Sequence, residues 1–261
     1  MVGAAVDVAG LAQEFAHIAT LPADSTTLLK GPLSGSKCVA WAKPLPLDEV
    51  RTLAKALGCT INDVVMSTLA GALGSYLRTR GRLAQHLVVR AAVPVNLRSP
   101  DQPFTALGNQ FGLVFLELPI GESRPLQRVY QVHDAMKALR ESKQPLVAYG
   151  LLAALGRLPL QVEEPAIELF SSKASLVVSN VPGPREPLSM AGAPISQLLF
   201  WVPQSGSIGV GISILTYADK LQFGVIADRE LIDNPTELTD LFAPEFDNLL
   251  LLALLALAPN P

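Results

Sequence analysis

Charged residues are scarce in this chain: 16% of 261 residues, against 49% hydrophobic. That balance excludes a disordered, self-repelling polymer. Lys and Arg (20) nearly cancel Asp and Glu (23), leaving a net charge of −3. With no cluster of Lys and Arg, the electrostatic footprint of a nucleic-acid binder is missing, and an anionic substrate must be met by local basic groups. The two cysteines, Cys38 and Cys59, form no C-x-x-C pair and have no histidine spacing around them. No metal site is expected, and both read as buried free thiols of a reducing compartment. Only three histidines occur, His17, His86 and His133, far apart along the chain. His133 stands beside Asp134, but adjacent residues of a helix do not face each other, so this pair reads as a solvated face.

Long apolar runs are also lacking. Leu249–Ala258 is the longest, about half of the roughly 20 residues that span a bilayer. No basic and then apolar leader opens the sequence, since Asp7 and Glu14 come early and the first Lys is Lys30. A cytoplasmic protein is expected, and any membrane contact should be peripheral. G-x-S-x-G and Walker A sequences are absent. Gly206, Gly209 and Gly211 do not make G-x-G-x-x-G and, within an apolar run, read as close packing or a bulge.

What is present is a length that can bury one large α/β unit or two small ones, organised around Cys59–Arg80. Thr60 can cap a helix starting near Ile61, with Asp63 placed to complete a capping box. Ile61, Val64, Val65, Leu69, Leu73, Tyr76 and Leu77 recur at helical spacing. Ser67, Ala70, Gly71 and Gly74 form a small-residue strip along which another backbone can pack. Asn62 and Asp63 put two polar groups at the entrance of this apolar helix. Local capping explains both, and a role in a site is compatible with it.

Along the rest of the chain, the patterns predict helices over Ala9–Ile18, Leu47–Leu57, Leu126–Leu139, Leu146–Leu158 and Pro165–Phe170. The last two are separated by Pro159 and Glu163-Glu164. Residues 22–36 read as a linker. Strands are predicted over Cys38–Ala42, Leu87–Val95, Phe111–Leu118, Ala174–Val178, Ile195–Val202, Ile208–Leu215 and Leu221–Ala227, with a hairpin turn at Tyr217–Lys220. A final helical region runs from Asn234 to Ala258, broken or kinked at Pro244. The order is mixed α/β without regular alternation. The division expected is an N-terminal helix and linker over 1–36 and one domain over 37–261.

Six segments, in this order, carry more: LLKGPLSGSKCVAWAKPLPLDEV, TINDVV, VPVNLR, LGNQFG, SLVVSNVPGP and ISILTYADKLQFGVIADRE. Together they resemble the C-terminal half of the bacterial wax ester synthase/diacylglycerol acyltransferases, from about Thr26 onward. The resemblance implies α/β architecture with a mixed sheet flanked by helices, one half of a chloramphenicol-acetyltransferase-like, CoA-dependent acyltransferase fold. It implies acyl-CoA as co-substrate with no bound cofactor, and diacylglycerol or a fatty alcohol as acceptor. Peripheral contact with a membrane or lipid droplet follows from the same likeness.

In that family a second, N-terminal half carries His-His-x-x-x-Asp-Gly, whose second His deprotonates the acceptor alcohol. No two histidines are adjacent in this sequence, so no catalytic residue is assigned. The expected partner is an N-terminal half, and activity of the chain alone is not expected. By matching motifs, the site-shaping or substrate-binding candidates are Asn62, Asp63, Arg98, Asn109, Ser179 and Asn180. Pro182 and Gly183 read as turn chemistry, while for Arg98 and Asn180 a turn role and a site role both stand. A non-catalytic lipid- or acyl-CoA-binding module, left after loss of the base-bearing half, is the alternative.

Overall fold

The structure, a computed structural model, describes residues 8–98, 110–157 and 159–257. In chain order the elements are α1 (Val8–Thr20), β1 (Lys37–Trp41), β2 (Leu45–Pro46), α2 (Leu47–Ala56), α3 (Ile61–Thr79), β3 (Val89–Asn96) and β4 (Phe111–Leu118). Then come α4 (Pro125–Glu141), α5 (Gln144–Leu155), α6 (Leu160–Ser171) and β5 (Leu176–Pro182). The chain continues through β6 (Ser189–Met190), β7 (Ala193–Pro194), β8 (Val210–Tyr217), β9 (Lys220–Asp228), α7 (Thr236–Thr239) and α8 (Phe242–Leu257).

The main sheet has the order β1-β9-β8-β5-β3-β4, with β2 also paired to β9. β5 runs parallel to both β3 and β8, whereas the β1/β9, β8/β9 and β3/β4 pairs are antiparallel. This is the mixed, helix-flanked sheet expected. Because β3, β5 and β8 are parallel, their carboxyl ends share one edge of the sheet. Alternation along each strand then assigns the two cores. Val178, Ile212 and Phe223 pack with α2, α3, α4 and α8, while Ala92, Phe115 and Val177 pack with α1, α5 and α6.

Helix α3 lies in the first core and is buried almost continuously from Asp63 to Leu77. Its capping box is formed: Thr60 Oγ1 accepts the Asp63 N–H at 3.2 Å, and Asp63 Oδ2 accepts the Thr60 N–H at 2.8 Å. The small-residue strip serves close approach as its composition requires. A Cβ on Gly74 would collide with the Ile120 carbonyl, and one on Gly71 with the Arg128 and Glu245 side chains.

Several expectations need correction. Ile195–Val202 is no strand. Among the described strands, β8 has β5 and β9 as neighbours and β9 has β8 and β1. With no open edge there, the apolar stretch lies across the sheet face instead, with Trp201 beside Gly224 and Val202 beside Gly211. Gly206 stands in a turn at φ +56 outside β8. Helix α6 begins at Leu160, so Glu163, Glu164 and Pro165 are inside it rather than before it. The break near Pro244 comes earlier, between α7 and α8, and Pro244 sits in the first turn of α8, where a proline withdraws no helical hydrogen bond. The short pairs made by β2 and by β6 with β7 carry no pattern long enough to read. Leu158 and Ala258, placed at helix ends, lie outside the described residues.

Residues 22–36, linker-like in composition, are fastened to the domain. Asp24 Oδ2 accepts the Arg90 backbone N–H at 2.9 Å and the Ser175 hydroxyl at 2.5 Å, with the Arg90 guanidinium 3.6 Å from Oδ1. Arg90 also donates to the Pro22 and Lys173 carbonyls, and Lys173 Nζ to that of Leu21. Further on, the buried Asp228 carboxylate accepts from Ser34 N, Ser34 Oγ and Gly35 N. These donors hold its pKa well below the ordinary carboxylate value, against the opposing effect of burial.

Candidate active site

The first turn of α3 and the end of β5 meet at the edge where the parallel strands finish. Asn62, the second residue of the helix, points out of the core because the capping box beside it fixes the entry of the chain. Asn180, two positions after the buried Val178, projects from the same face of β5. Asn180 Nδ2 donates to Asn62 Oδ1 at 2.8 Å. The two asparagines line one open cleft of about 380 Å³, whose walls include Arg51 of α2, Pro182, Gly183, Arg185 and Thr216. Gly183 is required there by space, since its N–H donates to the Thr216 carbonyl at 2.9 Å and a Cβ would strike that oxygen. The other lip is the β8–β9 turn, where Ala218 and Asp219 both have positive φ and Asp219 accepts the Leu47 N–H, so α2 is pinned to the turn.

Asp63 is turned away from this cleft. Its side chain is fully buried between α3 and α4, where Oδ2 takes, besides the capping N–H, His133 Nδ1 at 2.7 Å. Arg140 Nη1 is 3.9 Å from Oδ1. His133 is therefore only partly solvated, and its partner is Asp63 of α3 rather than the neighbouring Asp134. Sequence spacing could not reveal this because the two residues are 70 positions apart. A capping carboxylate at the start of a largely apolar helix was the one signal that a second polar group must meet it. The same carboxylate acts on Cys59: burial first, and the Asp63 charge second, push its thiol up to about 11.

The other candidates separate. Ser179 is on the opposite face of β5 from Asn180 and lies in register with Ser213 of β8. Arg98 follows β3 at the same sheet edge as the cleft, with its N–H donating to Asn96 Oδ1 at 3.0 Å. Asn109 lies outside the described residues. Sequence reasoning missed Arg51, Arg185 and Thr216, which enter the cleft only through the tertiary fold.

Chemically, the cleft offers amides, a hydroxyl, two guanidinium groups and the Asp219 carboxylate, and none of its lining residues is a histidine. It can bind and orient a polar group but presents no imidazole base. Among the described residues no cluster of His, Cys, Asp and Glu suits a metal ion.

Comparison with known proteins agrees with this architecture. The family model described as the WS/DGAT C-terminal domain matches residues 107–250. A probable diacylglycerol O-acyltransferase of Mycobacterium tuberculosis is 30% identical over 231 residues, covering 87% of this chain and 49% of the relative. The O-acyltransferase WSD of Acinetobacter baylyi is 29% identical over 223 residues, covering 83% of this chain and 46% of the relative. The chain thus spans about half the length of the curated relatives it matches. Among solved structures, the wax ester synthase/diacylglycerol acyltransferase from Marinobacter aquaeolei VT8 superposes with a TM-score of 0.67 at 23% identity, covering 93% of this chain and 55% of that one. The first condensation domain of the CDA synthetase shares the fold at a TM-score of 0.53 and 19% identity, covering 94% of this chain and 50% of that one. This chain belongs to the WS/DGAT C-terminal domain family.

Proposed function

We propose that this chain is the C-terminal half of an O-acyltransferase that moves a fatty acyl group from acyl-CoA to diacylglycerol or a long-chain alcohol. The product would be triacylglycerol or wax ester, and the general base would come from an N-terminal half supplied by another part of the assembly. In this reading 37–261 is the acyltransferase domain and 1–36 leads into it. The observation that carries it is the Asn62–Asn180 hydrogen bond, which joins the two motif segments TINDVV and SLVVSNVPGP in one cleft. Support comes from relatives named as diacylglycerol O-acyltransferases and an O-acyltransferase. Arg98, just after β3, borders the proposed acceptor channel, Asn109 is proposed as a substrate-binding residue from its motif alone, and Ser179 shapes β5 from its other face.

The absence of adjacent histidines favours one competing reading, a non-catalytic lipid- or acyl-CoA-binding or partner-docking module. An acyl-CoA assay separates them. The purified chain should show no appreciable turnover, because positioned general-base assistance is worth about 10²–10⁴-fold. Addition of a base-bearing N-terminal half should restore it. Turnover by the chain alone that survives substitution of His17, His86 and His133 in turn would sink this division of labour, and acyl-CoA binding without turnover in the reconstituted complex would favour the module.

A further inference from the structure

Two cations in the cleft are left without a carboxylate. Arg51 and Arg185 both line it and are both exposed, and neither is in an ion pair among the described residues. By contrast, Arg80, Arg90, Arg124 and Arg128 each hold a carboxylate. Asp219, the one acidic residue of the lining, pairs with neither arginine.

The backbone brings the two together. Arg51 lies one turn after Leu47 on the same face of α2, and the Leu47 N–H donates to the Asp219 carbonyl at 3.0 Å. Arg185 follows Pro184, whose carbonyl accepts the Ala218 N–H at 3.1 Å. The β8–β9 turn thus holds both arginine-bearing segments against one cleft of about 380 Å³. Asn62, Asn180 and Thr216 add neutral hydrogen-bonding groups to the same walls. With a net charge of −3, the chain as a whole draws no anion, so the attraction at the cleft is local.

We propose that Arg51 and Arg185 clamp a phosphate group in this cleft and, resting on the acyltransferase reading, that the phosphate belongs to CoA. A guanidinium meets phosphate or carboxylate with paired N–H donors, and a single carboxylate is satisfied by one such fork. A ligand that engages two forks on separate segments needs more anionic oxygens. CoA has them in its pyrophosphate and its 3′-phosphate, whereas the headgroup of phosphatidic acid offers the same chemistry from one phosphate. Diacylglycerol and fatty alcohols carry no charge, and burying them against two cations would strip water from the guanidinium groups without return. The arginine-bearing walls therefore serve the acyl donor and not the acceptor.

The test is isothermal titration calorimetry of the purified chain with CoA, which needs no turnover. CoA should bind, and more weakly in about 0.5 M salt because both cations stand in water. Arg51→Gln and Arg185→Gln should each lower the affinity about tenfold, the loss of a charge-assisted pair. Melting curves should not move, since neither side chain has an ion-pair partner in the protein. Pantetheine, which has no phosphate, should bind the variants as it binds the unsubstituted chain. Arg82→Gln, also exposed and beyond the C-terminal end of α3, should leave CoA affinity unaltered. In the unsubstituted chain, inorganic pyrophosphate should displace CoA.

No binding of CoA, no displacement by pyrophosphate, or an equal loss in Arg82→Gln overturns the proposal. So does arginine-dependent binding of dihexanoyl phosphatidic acid without that of CoA, since a lipid phosphate would then be the ligand. Acyl transfer by the reconstituted assembly with an unchanged KM for acyl-CoA in R51Q/R185Q overturns the clamp and leaves the acyltransferase reading standing. Arginine-dependent CoA binding with no transfer in that assembly supports the clamp and fails that reading.

Discussion

The two ends of β5 are built on opposite principles. Before its first residue, Asp24, Arg90, Lys173 and Ser175 are buried charges and a hydroxyl, joined to one another and to the carbonyls of residues 21–23. At its last residues the polar groups are neutral amides opening on a cleft, with one bond between Asn62 and Asn180. Burial makes the first set expensive to disturb, because an orphaned charge cannot reach water. Exposure makes the second set cheap to disturb and free to trade its one bond for a ligand. The first end anchors the lead-in, and the second is where chemistry can be hosted.

Substitutions at the two ends should therefore differ most in stability. Asp24→Asn leaves the Arg90 guanidinium without its carboxylate and should cost about 3–5 kcal/mol, read as a lower denaturant midpoint with no change at the cleft. Asp63→Ala removes the capping box and the partner of His133 and should cost about 1–2 kcal/mol. Asp228, the second anchor of the lead-in, gives a pH signature. Its folded-state pKa lies below the ordinary carboxylate value of about 4. Its contribution is thus fully present above about pH 4 and is lost as pH falls further, toward the folded-state value. In an acid titration followed by circular dichroism, Asp228→Asn should flatten the decline of stability below about pH 4 and change little at neutral pH.

What the sequence discloses depends on how local the cause is. The start of α3 was legible because Thr60 and Asp63 satisfy each other within one turn, and β4 because its whole pattern lies in eight consecutive residues. The stretch Ile195–Val202 has strand composition, but its fate depends on whether a sheet edge is open to it, which is a property of the whole topology. The linker-like residues after Leu21 owe their fixed position to β3 and β5, far away in the chain. At the cleft, Asn62 and Asn180 were singled out by their motifs, and the structure brings them together. Arg51, Arg185 and the turning away of Asp63 toward His133 were not, since each depends on which helix packs beside which.

The most direct measurement compares Asn62→Ala with the unsubstituted chain, each reconstituted with a base-bearing half, taking melting curves and acyl-transfer rates from the same samples. Asn62 is exposed and its lost bond is to one neutral amide, so the melting curve should barely move. If the cleft at the end of β5 is the site, turnover should fall at temperatures where the variant is fully folded. Unchanged turnover in the folded variant would contradict that and remove Asn62 from the site.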